Sequence, residues 1–327
     1  MLTAVFNKHL MAGMKKLLWT LPILPLVLAG CSTGSADSAD STNAAGADSL
    51  KVVTSTQVWA DVAEAVAPDV DIEAIITGGD IDPHSFEPSA TDMAKVSEAD
   101  IIIVGGGGYD SWLYGTLEDD DRIIHALDLS EHDHSEHDDH EHEAEEAHEH
   151  DHDEEGHDHD VDNEHVWYST EYVSEVAEEF AEKVTELDPE AQADATAVTT
   201  KMDELHNQIH DLPAVRIAQT EPIADHILSH SDMVESTPEG YRATTLSESE
   251  PTAADVASFQ DAINNGDIDV LIYNPQSAST VATSLKDLAE EKGILVVEIY
   301  ETPQNTENFL DVFTKAVDDL TAATNQV

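Results

Sequence analysis

Two histidines, His84 and His165, lie in sequence contexts that favour a functional imidazole. His84 lies between Pro83 and Pro88 in a loop that follows a predicted strand. His165 lies among bulky apolar residues, just beyond a low-complexity segment. A neutral imidazole is a common metal ligand, and a stiff loop or apolar neighbours hold its ring in place. Either histidine alone is more often structural than functional, so its meaning depends on the rest of the chain.

A second group of histidines forms a block at residues 131–160, where ten histidines alternate with Asp and Glu and where Lys and Arg are absent. Such a composition buries no core and predicts a disordered loop. A solvated acidic spacer would explain the acids but not the histidines, which form many weak, exchangeable metal sites with the neighbouring carboxylates. The predicted accessory metal contacts are His132, His134, His137, His140, His142, His148, His150, His152, His157 and His159.

The charge of the whole chain points to a cation as the partner. The 327 residues include 70 Asp+Glu and 13 Lys+Arg, for a formal net charge of −57. Nucleic-acid binding needs basic groups to neutralise phosphates and is therefore excluded. A strongly acidic field concentrates cations near the surface. Residues 131–164 hold only 18 of the acids, so the rest of the chain is acidic as well.

The single cysteine, Cys31, ends an apolar run over residues 17–30 that follows Lys15 and Lys16. The run is too short to span a membrane and is typical of a signal peptide. Residues 28–31 resemble a bacterial lipobox, which implies a signal peptide over 1–30, a lipidated Cys31 and a flexible tether over 31–50. The prediction is an extracytoplasmic protein anchored to the cell membrane by lipid alone. Disulfides and cysteine-based zinc sites are excluded, so a metal site must use histidines and carboxylates.

The elements that must position these side chains alternate between strand and helix. Continuous Ile and Val runs predict strands buried on both faces of parallel sheets. The predicted strands are 51–54, 72–76, 101–104, 122–127, 215–218, 270–273 and 295–299, and the predicted helices are 57–67, 90–98, 222–231, 252–264, 279–292 and 306–323.

A long amphipathic pattern over 189–212 predicts one helix that joins two halves, because apolar residues recur there every three or four positions. The expected fold class is α/β: two α/β lobes with mainly parallel sheets, joined by one long backbone helix, with a ligand cleft between the lobes. The lobes cover 51–188 and 213–327, and the first includes the loop at 131–160.

With both histidine segments in view, residues 51–324 resemble the ZnuA/TroA-like solute-binding proteins, the receptors of bacterial ABC importers for zinc, manganese or iron. The resemblance includes 55–61, the segments around His84 and His165, and the C-terminal half. It implies two lobes linked by a backbone helix and four protein ligands between the lobes. One departure is Glu164, where the family usually has proline before its second histidine.

The resemblance also implies the ligand set. The first two ligands of the family fall on His84 and His165, its third on Glu221, and its fourth, an acidic residue after the last strand, on Glu301. Glu298 is a competitor for the fourth position, but it lies inside the predicted strand. Two imidazoles and two carboxylates suit a divalent first-row ion and suit calcium or magnesium poorly.

The predicted function is a lipid-anchored monomeric receptor that binds Zn²⁺ and delivers it to an ABC permease and its ATPase subunit. Mn²⁺ or iron is the alternative cargo, since two carboxylates accept these ions too. An enzyme is not predicted, because four protein ligands leave little room for the reactive water that a zinc hydrolase needs. A protein that only stores metal in its loop would not need a folded cleft.

Overall fold

A computed structural model describes residues 49–79, 86–115, 117, 120–129, 163–304 and 307–327. His84, Cys31 and the block at 131–160 lie outside these residues. None of the helices in the described part of the chain is long and apolar enough to cross a membrane.

Strands and helices alternate along most of the chain, and a short 3-10 turn, Val166–Tyr168, precedes α4. The elements are β1 Lys51–Thr56, α1 Gln57–Val66, β2 Asp71–Ile76, α2 Ala90–Glu98, β3 Ile101–Val104, α3 Ser111–Tyr114, β4 Ile123–His125, α4 Thr170–Leu187, α5 Thr196–His210, β5 Arg216–Gln219, α6 Asp225–Leu228, β6 Val234–Glu235, α7 Glu239–Leu246, α8 Ala253–Asn265, β7 Val270–Tyr273, α9 Thr280–Lys292, β8 Leu295–Glu298 and α10 Phe309–Thr324.

The strands form two parallel sheets with the same topology. The first has the order β2-β1-β3-β4 and the second the order β6-β5-β7-β8. In each sheet the first strand, β1 or β5, is central: the second strand lies on one side of it and the third strand on the other. The loops after the two central strands therefore lead in opposite directions and leave a crevice at the carboxyl ends of these strands. Such an edge is where open α/β sheets bind ligands. The expected fold class of two parallel α/β lobes is confirmed.

The core explains why the central strands β3 and β7 are apolar throughout. In β3, Ile101 and Ile103 pack into one large core that also contains Ile217 and Ile272 of the second sheet. Ile102, on the opposite face of β3, packs into a separate core under α2 and α3. A comparable outer core lies beneath α8 and α9. Each sheet is therefore covered on both faces, and the inner faces share one core with α1, α4, α5 and α10.

The connection between the sheets differs from the predicted helix over 189–212. Two helices, α4 and α5, pack against each other, and residues 188–195 between them are not helical. The Asp188 carboxylate accepts a hydrogen bond from the backbone N–H of Glu190 at 3.1 Å, and Asp194 accepts one from Thr196 at 2.9 Å. Aspartates that bind nearby backbone groups compete with helix formation. The prediction is therefore wrong for 189–195.

The predicted helix over 222–231 is also too long, since α6 covers only Asp225–Leu228. In a longer helix the Pro222 carbonyl would accept a backbone N–H from the next turn, but here it accepts a hydrogen bond from the Asn163 side chain at 2.6 Å. The side-chain oxygen of Gln219 accepts the backbone N–H of Ala224 at 2.9 Å and holds the backbone just before α6. The backbone just after β5 is thus shaped by tertiary contacts.

Candidate metal centre

Three of the four predicted ligands converge in the structure. His165 immediately precedes the 3-10 turn, Glu221 lies two residues beyond β5, and Glu301 lies three residues beyond β8. Each offers one ligand atom, and these atoms all lie within 4.8 Å of one another. Among the described residues this is the one group of three or more His, Cys, Asp or Glu with such spacing. The arrangement can bind a cation, and the ligand roles themselves stay a prediction.

The ring of His165 has its two nitrogens in different environments. Its Nδ1 donates a hydrogen bond to Asn163 Oδ1 at 2.7 Å, which leaves Nε2 with the lone pair when the ring is neutral. Nε2 lies 3.2 Å from Glu221 Oε1. In the neutral ring, Nε2 and Glu221 Oε1 are both acceptors. They can lie this close when Nε2 carries a proton and donates it to Oε1, or when both atoms bind one cation. Two ligands of a tetrahedral ion with bonds of ~2.05 Å lie about 3.3 Å apart, close to this distance.

Asn163 is itself held in one orientation. Its amide nitrogen donates to Asp225 Oδ2 at 2.8 Å, and its side-chain oxygen also accepts the backbone N–H of His165 at 3.0 Å. Arg242 in turn donates to both carboxylate oxygens of Asp225 at 2.9 Å. Partners of this kind fix the tautomer and direction of a ligand histidine. The chain from Arg242 through Asp225 and Asn163 therefore orients His165.

The two carboxylates meet at Asn274, the residue that follows β7. Asn274 Nδ2 donates to Glu301 Oε1 at 2.6 Å and to Glu221 Oε2 at 2.9 Å. The hydroxyl of Ser277 also donates to Glu221 Oε2. Burial alone raises the pKa of the Glu221 carboxyl, but its contacts with His165, Ser277 and Asn274 outweigh burial and lower the pKa to about 2. Glu221 is therefore an ionised ligand candidate.

The first lobe contributes Tyr109 to the wall of the site. Its hydroxyl donates to Glu301 Oε2 at 3.4 Å, and its ring lies 4.7 Å from the ring of Trp167. Burial and the nearby carboxylates raise the pKa of Tyr109 well above its ordinary value, so the phenol stays neutral and donates. The preceding loop requires glycine at Gly106, whose φ is 84° and whose added Cβ would lie 2.1 Å from the carbonyl oxygen of Leu127.

His84 lies outside the described residues, but contacts on both sides of its segment are visible. Five residues earlier, the Gly79 carbonyl accepts a hydrogen bond from Gln276 Nε2 of the second lobe at 3.1 Å. Two residues later, the ring of Phe86 packs against Trp112 at 4.7 Å. The described residues on either side of that segment, Gly79 and Phe86, are thus held by contacts.

The structure also shows where Glu298 and Glu164, two residues singled out in the sequence, are located. Glu298, the competitor for the fourth ligand, is exposed at the end of β8, accepts a hydrogen bond from the Tyr300 hydroxyl at 3.2 Å and is not part of the cluster. Glu164, which replaces the usual proline, accepts a hydrogen bond from the backbone N–H of Gly108 at 2.5 Å. Glu164 thereby ties the His165 segment to the loop after β3.

Comparison with known proteins identifies the family. The sequence profile of ZnuA, described as zinc-uptake complex component A, periplasmic, matches residues 52–323. The chain belongs to the ZnuA family. This confirms the resemblance that the histidine segments indicated. Members of the ZnuA family are solute-binding receptors of ABC importers and not enzymes, as expected from the ligand set.

Two relatives of this ZnuA-family chain carry manganese in their names. It is 31% identical over 128 residues to the manganese-binding lipoprotein MntA of Halalkalibacterium halodurans, a match to 37% of this chain and 42% of that protein. It is 38% identical over 96 residues to the manganese ABC transporter substrate-binding lipoprotein PsaA of Streptococcus mitis, a match to 28% of this chain and 29% of that protein. The chain therefore matches less than half the length of either relative.

The fold also matches solved structures of the family. The periplasmic zinc-binding protein TroA from Treponema pallidum superposes with a TM-score of 0.61 and 16% identity, over 84% of this chain and 99% of TroA. At 16% sequence identity, this similarity shows that the two proteins share a fold and no more than that.

Sequence reasoning missed the residues that orient the ligands. Asn274 follows the apolar strand β7 directly, at the same sheet edge as Glu221 and Glu301, so its position offered a signal. Asn163 stands two residues before His165 and offered a similar one. Tyr109 had no comparable signal, because it approaches Glu301 from 192 positions away in the sequence.

Proposed function

We propose that the protein is an extracytoplasmic receptor that binds one divalent transition-metal ion between its lobes and delivers it to an ABC permease and its ATPase subunit. The observation that carries this proposal is the convergence of His165, Glu221 and Glu301 within 4.8 Å. Their donor atoms are nitrogen and oxygen, which suits zinc, manganese or iron and offers nothing to soft, thiolate-seeking ions. His84 is proposed as the fourth ligand.

Zinc is the proposed cargo. At a shared site of nitrogen and oxygen donors, zinc binds more tightly than manganese in the general affinity order of divalent ions. Four protein ligands also match the tetrahedral geometry that zinc accepts. The histidines of 131–160 are proposed to bind further zinc weakly and to raise its local concentration.

Manganese or iron is the second candidate. Two carboxylates among four ligands favour harder ions than an all-histidine site does, and the relatives MntA and PsaA are named for manganese. The choice depends on how many donor atoms the site offers the ion.

Location and anchoring follow from the N-terminal sequence. Cys31 is proposed to be lipidated after removal of 1–30, with 31–50 as a tether and the folded receptor as a monomer outside the cell membrane. This arrangement would keep the receptor beside its permease.

The test is a competition titration of the metal-free protein with zinc and manganese. The expected result is one tight site per chain. Glu301→Ala should weaken this site by more than about a hundredfold, beyond the loss typical of residues that only orient ligands. Glu298→Ala is the matched control, because Glu298 lies on the same segment, is exposed and is not part of the cluster. Loss of tight binding in Glu298→Ala but not in Glu301→Ala would overturn the assignment.

Delivery to a permease needs a second measurement. Cells that depend on this receptor should lose uptake of radioactive zinc when Glu301→Ala replaces the wild type, and should keep it with Glu298→Ala. Equal uptake with both variants would refute the role in import.

A further inference from the structure

Asn274 occupies an unusual position between two carboxylates. It is buried, with 1% of its surface exposed, and its amide nitrogen reaches both Glu221 and Glu301. Its side-chain oxygen accepts the backbone N–H of Gln276 at 2.9 Å. That bond fixes the orientation of the amide, since the opposite orientation would place an NH₂ group against an N–H donor. The two amide hydrogens are therefore directed toward the two carboxylates and toward the Ser277 hydroxyl, which lies 2.9 Å from the same nitrogen.

These hydrogen bonds make the two oxygens of each carboxylate unequal. Asn274 holds Glu221 Oε2 and Glu301 Oε1, at 2.9 and 2.6 Å. The opposite oxygen of Glu221 lies 3.2 Å from His165 Nε2, and the opposite oxygen of Glu301 lies 3.4 Å from the Tyr109 hydroxyl. Hydrogen bonds to an ionised carboxylate are strong, and turning the carboxylate to offer both oxygens would break one.

We infer that Asn274 is a specificity-determining residue that restricts Glu221 and Glu301 to one metal-binding oxygen each. This inference rests on the proposed function, because it concerns the ion bound at that same site. With one oxygen from each glutamate, the site offers an ion fewer donor atoms than it would with both oxygens of each. Zinc is stable with four ligands, whereas manganese favours six-coordinate, oxygen-rich sites. Asn274 thus biases the site toward zinc.

A merely structural role for Asn274 makes a different prediction. If the amide only reduced repulsion between the two carboxylates, its removal would weaken zinc and manganese binding by the same factor. If it limits the number of donor oxygens, its removal permits two-oxygen binding and changes the ratio of the two dissociation constants. The ratio therefore separates the two roles.

The experiment compares wild type with Asn274→Ala and Asn274→Ser on the full chain. Asn274→Ser is included because its hydroxyl keeps a polar group in the buried position if alanine prevents folding. Asn265→Ala is the matched control, since Asn265 is exposed at the end of α8. The dissociation constants for zinc and manganese are measured by competition, and X-ray absorption of each loaded protein gives the coordination number.

We expect the preference for zinc over manganese to fall about tenfold to a hundredfold in Asn274→Ala, the range typical of residues that orient ligands. The coordination number of bound manganese should rise in the same variant, and Asn265→Ala should match wild type. An equal loss for both metals, or wild-type zinc bound by both oxygens of either glutamate, would overturn the inference. Absence of tight metal binding in wild type would instead overturn the proposed function, and the inference with it.

Discussion

At the scale of single residues, neutral amides hold the ionisable side chains of the metal centre in place. Asn163 fixes the ring of His165, and Asn274 fixes the carboxylates of Glu221 and Glu301. Amides suit this purpose because they donate and accept without adding charge to a site that binds a cation. The orientation of the proposed ligands therefore depends on neighbouring amides.

Removal of the Asn163 side chain should weaken metal binding. In Asn163→Ala, Nδ1 of His165 loses its acceptor, so neither the tautomer nor the direction of the ring is fixed. We expect the zinc affinity to fall about tenfold to a hundredfold, measured by competition with a chelator. Asn207→Ala, an exposed change on α5, is the control. Unchanged zinc affinity in a folded Asn163→Ala protein would show that His165 does not need this partner.

A second residue-scale prediction concerns stability and pH. Burial raises the pKa of Asp110 to about 6, although the backbone N–H groups of Gly105 and Gly106 donate to its carboxylate at 2.7 and 3.0 Å. Between that pKa and its ordinary value of 3.8, the folded state holds more protons than the unfolded state. The contribution of Asp110 to the free energy of unfolding should therefore increase by up to about 3 kcal/mol as pH falls from 7 to 4.

The measurement is urea unfolding of the metal-free protein, wild type against Asp110→Asn, at several pH values between 4 and 7. The asparagine variant cannot titrate, so the difference in free energy between the two proteins should change with pH. Parallel curves would contradict the raised pKa.

At the scale of elements, the site is assembled from loops at the carboxyl ends of strands, and Gln276 connects two of these loops across the lobes. Its Nε2 donates to the Gly79 carbonyl at 3.1 Å and to the Thr302 hydroxyl at 2.8 Å, and its Oε1 accepts the Thr302 N–H at 3.0 Å. Gly79 begins the segment that carries His84, and Thr302 follows Glu301. Gln276 therefore links the segments of two proposed ligands.

Gln276→Ala should increase the rate at which bound metal dissociates, because Gly79, five residues before the proposed ligand His84, loses its hydrogen bond to the second lobe. We expect a severalfold faster release in stopped-flow experiments with a chelating dye, with a smaller change in the association rate. Gln208→Ala, an exposed change on α5, provides the comparison. Equal dissociation rates in all three proteins would show that this link does not restrain the site.

The sequence predicted strands and helices well where burial or local hydrogen bonds determine their bounds. Strands at 101–104 and 270–273 were predicted within their observed bounds, because residues buried on both faces leave a continuous apolar run. The helix at 90–98 also has its observed bounds, and its first turn is closed by a capping box between Ser89 and Asp92. Local chemistry determines such elements.

Prediction failed where distant residues shape the backbone. The short α6 depends on contacts such as that of Asn163 with Pro222, which is 59 positions away in the sequence. The ligand candidates were found through the resemblance to a family, whereas the contacts of Asn163, Asn274 and Tyr109 with those candidates depend on how the loops come together in the fold. Hydrogen bonds between loops that are distant in the sequence leave no periodic pattern in it, so the sequence alone does not predict them.

At the scale of the whole molecule, the two sheets are joined by more than the metal centre. The shared core contains residues of both sheets and of α1, α4, α5 and α10. The Asp61 carboxylate on α1 also accepts the backbone N–H of Phe309 on α10 at 2.6 Å. A common core favours small relative movements of the lobes, so capture and release of metal should depend mainly on the loops around the site.

The central claim is that one ion binds to His84, His165, Glu221 and Glu301. The most direct measurement is a crystal structure of the full mature chain with one equivalent of zinc, using anomalous scattering at the zinc edge to locate the ion. The account predicts one strong peak about 2.0–2.2 Å from a nitrogen of each histidine and an oxygen of each glutamate. A strong peak held by the histidines of 131–160, with none at this cluster, would contradict it.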